Sequence, residues 1–257
     1  GEPRQLTRGK RFKEGSLAWS RDGKHLLFAS DRREAPWFET PGDDNDILAV
    51  SADLTEPTLG EALLKVADIA GPLLAFAEGV DGKLLAVGDI RQGKPNTYEA
   101  SDLLLFEGAW PQTQPRVLTH GLDLHVGEGI NSDQHPPRGG GAFVLGFSAN
   151  DQGALFVHAK RGAAHLSHCH LATGNVVDLT PATLEVIAGT VSADGQRVAL
   201  TAGSVNMLGD LHVYDMAAQS LTRLWGANDD VFASVKLGEV EEINYPSKDG
   251  TKIQAWI

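Results

Sequence analysis

The amino-acid sequence predicts an all-β protein, and more narrowly a β-propeller built from four-stranded antiparallel blades. The first observation is a hairpin unit that returns four times, with an Asp-Gly-type turn between two short apolar segments. The second is a polar turn followed by a short segment that ends in Leu-Thr, which also recurs. A repeated supersecondary unit indicates a repeat architecture, because each copy needs neighbours to bury its apolar side chains.

The Asp-Gly turns predict where the first two strands of each blade meet. Asp and Gly tolerate the positive φ angles of the tight turns that join antiparallel strands. The flanking segments are short and rich in Leu, Val and Phe, as is typical of buried strands. The turns lie about 43 to 70 residues apart, near the length of a propeller blade with inserted loops. They are Asp22-Gly23, Asp81-Gly82, Asp151-Gln152-Gly153 and Asp194-Gly195.

Two further strands complete each expected blade. Third strands are predicted to start at Asp46, Asp102 and Asp210, and fourth strands to close on Leu-Thr at 118–119 and 179–180. Residues 6–7 are also Leu-Thr, so the chain is expected to open on the last strand of a blade. Its 257 residues then correspond to five or six blades of a propeller that has seven in the full protein.

Composition limits the partners and the compartment. The net charge is −12, and the 22 Lys and Arg residues are scattered, which argues against nucleic acid or an anionic membrane as a partner. There is no apolar run of the length that a transmembrane helix needs. One cysteine, Cys169, excludes internal disulfides and fits the reducing cytoplasm. No cofactor is expected, and the choice between monomer and homo-oligomer stays open.

Two inserts interrupt the repeats, at 31–45 and 127–141, and both are rich in charge and turn-forming residues. Long loops on a rigid scaffold often carry binding residues. In the first insert, Arg32 and Arg33 stand close to Trp37. A guanidinium can hold a carboxylate through two hydrogen bonds while an aromatic ring holds an apolar side chain. We therefore predict a substrate-binding role for these three residues.

A weaker candidate for the same role is Arg138 in the second insert. The alternative interpretation of Arg32 and Arg33 is a surface salt bridge to an acid of the first insert. The acids in reach along the chain are Glu34, Asp43 and Asp44.

A histidine-rich segment, His165-Leu166-Ser167-His168-Cys169-His170, is the one stretch that suggests a metal site. On a strand, His168 and His170 share one face, whereas His165 and Cys169 point to the other. A pair of histidines needs at least one more ligand to hold zinc. We therefore expect no metal here and keep a metal-binding propeller as a minor alternative.

The C-terminal residues 241–257 depart from the repeat. Two apolar segments flank Lys248-Asp249-Gly250, and the chain stops inside the second of them. Such a strand lacks a partner on its far side. We expect residues 1–240 to form the propeller and 241–257 to be a linker and first strand that lead into a further domain.

The Arg-Gln-Leu-Thr start, the Trp-Ser-Arg-Asp-Gly-Lys unit at 19–24 and the ending at 242–257 together resemble the prolyl oligopeptidase family of serine peptidases. The acylaminoacyl-peptidase-like branch is the most similar. In that family a β-propeller with WD40-like repeats precedes an α/β-hydrolase domain. The resemblance implies that this chain is the propeller region of a peptidase that acts on short peptides.

The resemblance also implies a division of labour between two domains. The propeller would gate access and form one wall of the substrate pocket, and the hydrolase domain would carry the catalytic Ser, Asp and His beyond Ile257. The sequence contains no Gly-x-Ser-x-Gly nucleophile motif. Its nearest match, at 146–150, lacks the second Gly and reads as an ordinary turn. The alternative function is a TolB-like propeller that serves as a protein-interaction module.

Overall fold

The structure is a computed structural model, and it describes residues 2–34, 44–90, 100–112, 114–130 and 143–257. In the described residues, four units of four antiparallel strands follow one another along the chain. Each unit corresponds to one propeller blade. The predicted fold class is confirmed.

Blades 1 and 2 are separate sheets in which the strands are ordered as in the chain. Neighbouring strands are hydrogen-bonded in antiparallel pairs. Blade 1 contains β1 (Gly15–Trp19), β2 (His25–Ser30), β3 (Asp46–Ser51) and β4 (Leu63–Ala67). Blade 2 contains β5 (Leu73–Glu78), β6 (Leu84–Gly88), β7 (Asp102–Phe106) and β8 (Arg116–Val117).

Blades 3 and 4 repeat this plan and are joined by one parallel bridge between Ala164 and Glu185. The short strand β9 (His125–Val126) pairs with the second strand of blade 3. Blade 3 contains β10 (Leu145–Phe147), β11 (Gly153–Lys160), β12 (Ala163–His170) and β13 (Val176–Asp178). Blade 4 contains β14 (Glu185–Val191), β15 (Arg197–Ser204), β16 (Met207–Asp215) and β17 (Ser220–Trp225).

A short helix and a hairpin follow blade 4. The helix is α1 (Asp229–Phe232), and the hairpin pairs β18 (Glu242–Pro246) with β19 (Lys252–Trp256). Among the residues that the structure describes, no helix is long and apolar enough to cross a membrane.

The Asp-Gly turns join the first and second strands of every blade, as predicted. In blade 1, Gly23 has a φ of 71°. The Asp22 carboxylate accepts hydrogen bonds from Ser20 Oγ at 2.7 Å and from Lys24 N at 3.0 Å. Blade 4 repeats this Ser-x-Asp-Gly turn, and a third copy closes the terminal hairpin. The turn is therefore determined by a short local sequence, and it occurs both in the blades and in the terminal hairpin.

The core lies between the faces of successive blades. Leu27 and Ile47 of blade 1 pack with Leu104 and Phe106 of blade 2, and all four are at most 1% exposed. Similar clusters join blade 2 to blade 3 and blade 3 to blade 4. The first strands of successive blades contact one another. This places them at the inner edge of the array, as in a propeller.

The chain crosses each blade four times, so its connections fall on two opposite faces of the array. One face carries the Asp-Gly turns, and we call it the turn face. The opposite face carries the connections between second and third strands and those between blades, and we call it the loop face. The described ends of the inserts at 31–45 and 127–141 both belong to the loop face.

The terminal hairpin also packs on the loop face. The contact is made by Trp256, whose indole ring lies so close to Gly162 that a Cβ at position 162 would collide with it. Gly162 belongs to the turn between β11 and β12, which is on the loop face. Both inserts and the end of the chain therefore emerge on one side of the blades.

The described residues form four blades, so the expectation of five or six was too high. The residues that this expectation counted as further blades lie in the connection between blades 2 and 3 and after β17.

Leu6-Thr7 was predicted to be the end of a fourth strand, and two equivalent backbone hydrogen bonds support this. In blade 1, the end of the fourth strand is bound by the next blade, since Gln112 N, between β7 and β8, donates to Val66 O at 2.9 Å. Leu6 O is bound in the same way by blade 1, since Thr58 N, between β3 and β4, donates to it at 2.9 Å.

Candidate functional site

A cleft of about 770 Å³ lies on the side of blade 1 that faces away from blade 2. Its floor contains Leu48 and Leu63, which pack with Phe28 in a cluster separate from the core between blades 1 and 2. Residues 9–12 form the opposite wall. We call it the blade 1 cleft. Its charged residues are Lys10, Arg11, Arg32, Arg33, Asp44, Asp46, Glu61, Lys65 and Asp68.

The side chain of Arg32 lies in this cleft directly after β2 and is 15% exposed. Its guanidinium lies over the Phe12 ring, 4.5 Å from the ring centroid. Its Nη2 atom donates a hydrogen bond to the Glu14 carboxylate at 2.6 Å. Among the residues that the structure describes, its buried Nε atom has no hydrogen-bond partner. The head group is therefore positioned mainly by stacking and one ion pair.

Arg33 is paired within the first insert. Its Nε atom donates to both oxygens of the Asp31 carboxylate, at 3.0 and 3.1 Å. The Asp44 carboxylate lies 4.0 Å from the same nitrogen. Burial acts to raise the pKa of Asp31, but the hydrogen bonds from Arg33 outweigh it, so the pKa lies below its usual value. Asp31 therefore stays ionised and holds the Arg33 head group in place.

A lysine bridges two further carboxylates at the same end of blade 1. Lys65 Nζ lies 2.8 Å from Asp46 and 3.2 Å from Asp68. Burial raises the pKa of Asp46 and the pKa of Asp44. These pKa values rise because the carboxylates lose water without full compensation by the neighbouring cations.

The blade 1 cleft therefore has two chemically different parts. The floor is an apolar sheet face of the kind on which an adjacent blade packs. The rim, at the loop-face end of the strands, holds fixed guanidinium groups beside an aromatic ring. Such a rim can bind a carboxylate by charge-assisted hydrogen bonds and an apolar side chain by stacking.

The alternative interpretation, in which the two arginines form salt bridges with acids of the first insert, is confirmed in part. Arg33 lies beside Asp44, one of the acids that we considered, but its direct partner is Asp31. Arg32 pairs with Glu14, which the sequence did not single out. Asp43 and the other two candidates, Trp37 and Arg138, lie outside the described residues.

Two residues that line the cleft and the ion-pair partner of Arg32 were missed by sequence reasoning. They are Phe12, Glu14 and Lys65, which lie between 18 and 33 positions from Arg32 along the chain. Strand pairing and the path of residues 9–14 bring them together. No local pattern signals such a contact, since it depends on how the segment before β1 crosses the sheet.

The histidine-rich segment forms β12 and its side chains have separate partners. His168 Nε2 contacts Ser148 Oγ at 3.2 Å, and His170 Nδ1 contacts Thr173 Oγ1 at 3.3 Å. On the other side of the strand, His165 Nδ1 lies 3.1 Å from Thr180 O. In the part of the chain that the structure describes, no three His, Cys, Asp or Glu residues are grouped to hold a metal ion.

Ser148 lies next to a histidine but does not have the geometry of a catalytic serine. Its φ and ψ of −72° and 171° are extended, whereas a nucleophile elbow is a strained turn. Within the described ranges, His168 has no carboxylate hydrogen-bonded to it. The orienting acid of a triad is therefore absent around this pair.

A hydrogen-bonded group that sequence reasoning overlooked is centred on Asp178, an exposed residue whose partners His158 and Ser167 are buried. Its Oδ1 atom lies 3.0 Å from His158 Nε2 and accepts a hydrogen bond from Ser167 Oγ at 2.9 Å. His158 is fully buried, and burial lowers its pKa although Asp178 acts to raise it. This network ties the second, third and fourth strands of blade 3 together, which makes it a structural feature of the blade.

Comparison with known proteins identifies the architecture. No family model and no curated protein sequence matches the chain. Among solved structures, the acylaminoacyl peptidase of Pyrococcus horikoshii is 15% identical with a TM-score of 0.59, over 94% of this chain and 32% of that protein. Prolyl oligopeptidase B of Galerina marginata is 15% identical with a TM-score of 0.55, over 96% and 31%.

A TolB protein of Acinetobacter baumannii is also similar, 14% identical with a TM-score of 0.53, over 83% of this chain and 44% of that protein. The chain thus spans less than half the length of each of these proteins. At such low identity the likeness concerns the fold. The chain has the β-propeller fold that is found in these peptidases and in TolB.

Proposed function

We propose that this chain is the non-catalytic propeller region of a serine peptidase of the prolyl oligopeptidase family, in its acylaminoacyl-peptidase-like branch. The observation that supports the proposal is that the described ends of the two inserts and the terminal hairpin lie on the same face of the blades. The described ends of both inserts lie on the loop face, and Trp256 packs on Gly162 there. A domain that follows the hairpin would cover this face.

In this proposal the propeller controls which substrates reach the catalytic domain. A rigid array of blades beside the active site would exclude folded proteins and admit short peptides. The chemistry is acyl transfer to a serine nucleophile that belongs to a hydrolase domain after Ile257. The residues of this chain contribute one wall of the substrate pocket.

The rim of the blade 1 cleft supplies the binding groups in this proposal. The Arg32 guanidinium is held over Phe12, and within the described part of the chain its buried Nε–H has no partner. We assign to Arg32 and Arg33 the recognition of a peptide carboxylate, with Trp37 and Arg138 of the two inserts as further contacts. Acidic neighbours preset the positions of both guanidinium groups, which reduces the entropy lost on binding.

We further propose that the parent enzyme works in the cytoplasm, as a monomer or a homo-oligomer. The one cysteine supports this compartment. Cys169 is fully buried, and burial raises the pKa of its thiol. A chain with one cysteine has no second thiol for an internal disulfide, as is typical of proteins from reducing compartments.

The arginine assignment can be tested in the full-length gene product with two substrates, a short peptide with a free carboxyl end and the same peptide as an amide. Arg32→Lys keeps the charge but removes the planar fork. We expect KM for the free acid to rise about tenfold, equal to about 1.4 kcal/mol, with little change for the amide. Arg21→Lys, on the turn face, is the matched control. Equal effects on both substrates would contradict the assignment.

The TolB-like interaction module is the second candidate, favoured by the fold shared with TolB. Labelling with a fluorophosphonate separates the two. We expect the full-length product to be labelled and the 257-residue chain to stay unlabelled. A coding sequence that stops after Ile257 would favour the interaction module, and labelling of the 257-residue chain would refute the division of labour between two domains.

A further inference from the structure

A second cleft, of about 430 Å³, lies on the loop face beside the terminal hairpin. We call it the hairpin cleft. It is enclosed by the start of the second insert, the β11–β12 turn, the connection between blades 3 and 4, the β15–β16 turn and the hairpin. The lining residues are Ile130, Gly162, Ala182, Thr183, Leu184, Glu185, Ser204, Val205, Val240, Glu242 and Trp256.

The described charged residues that line the hairpin cleft are both acidic. Glu185 and Glu242 are acidic, and the described residues that line the cleft include no Lys, Arg or His. Glu185 is partly buried at the first position of β14, and burial raises its pKa although the Ile130 backbone N–H donates to it. Glu242 is exposed, and it accepts a hydrogen bond from Asn244 at 3.1 Å. An anionic ligand would be repelled from this cleft.

The remaining lining is aromatic and apolar, with two hydroxyl groups. Trp256 pairs with Glu242 across the hairpin, so its indole ring and this carboxylate stand side by side. Thr183 and Ser204 add hydroxyl oxygens that can accept hydrogen bonds. Ile130, Leu184, Val205 and Val240 provide the apolar surface.

We propose that the hairpin cleft binds a small organic cation, a primary ammonium group carried on an apolar body. An ammonium has three donors, and the carboxylate and hydroxyl oxygens that line the cleft are acceptors for them. The face of an indole ring attracts a cation. The apolar body would lie against the four aliphatic side chains. This site is separate from the blade 1 cleft, and its occupation does not depend on peptidase activity.

The proposal can be tested on the 257-residue chain by isothermal titration calorimetry with phenylalaninamide. N-acetylphenylalaninamide is the control, because it has the same apolar body without the charge. We expect the acetylated compound to bind at least tenfold more weakly. We also expect Glu185→Gln to weaken phenylalaninamide binding at least tenfold. Glu241→Gln, an exposed acid next to the same hairpin but outside the cleft, should have no effect.

The binding site can be located by NMR, because the indole N–H resonance of Trp256 should shift when phenylalaninamide is added. The affinities of two other ligands identify the ligand class. A dipeptide amide that binds more tightly than 2-phenylethylamine would identify the amino end of a peptide as the ligand, and equal affinities would identify amphipathic amines in general. Equal binding of the acetylated and free amides, or shifts that leave Trp256 unaffected, would overturn the proposal. These two outcomes use the unaltered chain and do not depend on the folding of a variant.

Discussion

Substitution of Gly162 by alanine tests how the terminal hairpin is attached to the blades. Gly162 has a φ of 73°, and a Cβ at this position would meet the indole ring of Trp256. Gly23 has a φ of 71°, but a Cβ there would meet no atom within 4 Å. The two glycines thus share a backbone conformation and differ in their surroundings. Gly23→Ala is therefore a matched control that reports backbone strain alone.

The expected magnitude follows from two contributions. A left-handed conformation costs a non-glycine residue about 1–2 kcal/mol, and both variants bear this cost. Trp256 is 46% exposed, so displacement of its ring would expose up to about 100 Å² of the roughly 200 Å² that a buried aromatic covers. At about 25 cal/mol per Å² this adds up to about 2.5 kcal/mol. We expect Gly162→Ala to be destabilised by about 2 kcal/mol more than Gly23→Ala.

The assay is urea unfolding of both variants, together with the Trp256 indole N–H resonance. Gly162→Ala should lower the unfolding midpoint more than Gly23→Ala and shift this resonance, whereas Gly23→Ala should leave the resonance in place. Equal losses of stability in the two variants, with an unchanged Trp256 resonance, would refute the reasoning. The hairpin would then be held by contacts other than the indole.

Two further predictions concern buried groups of blade 3. Burial lowers the pKa of His158 below its ordinary value, so the unfolded chain binds this proton more readily, and stability should fall as the pH drops below about 6.5. His158→Gln should show a smaller fall in unfolding free energy between pH 7.5 and 5.5 than the wild type, and an equal fall would contradict this role. Cys169 is fully buried with a raised thiol pKa, so a thiol reagent should modify it only in urea, and rapid labelling of the native chain would contradict the packing between blades 2 and 3.

Much of the fold could be predicted because its signals are local. A Ser-x-Asp-Gly turn such as Ser20 to Gly23 needs only the Ser hydroxyl, the Asp carboxylate, one backbone N–H group and a residue that accepts positive φ. The strands on either side follow from short apolar segments. The number of blades was overestimated because chain length counts inserts and the residues after blade 4 as if they were strands.

The candidate sites were predicted only in part. Arg32 and Arg33 were singled out by residue type and by their place after a strand, and both line the blade 1 cleft. Phe12, which stacks on Arg32, carries no signal because it precedes the first complete blade. No sequence pattern indicated the hairpin cleft either, since Glu185 and Glu242 belong to different structural units and line one cleft only in the folded chain.

The sequence by itself determined the hairpin repeat, the order of strands within a blade and the departure from the repeat after blade 4. Each of these depends on turn chemistry and apolar patterning within a few tens of residues. Only the tertiary structure decided which sheet faces pack together, that Arg32 lies over Phe12, and that Trp256 packs on Gly162. Those contacts join residues that are distant in the chain, and they depend on the direction in which each sheet presents its side chains.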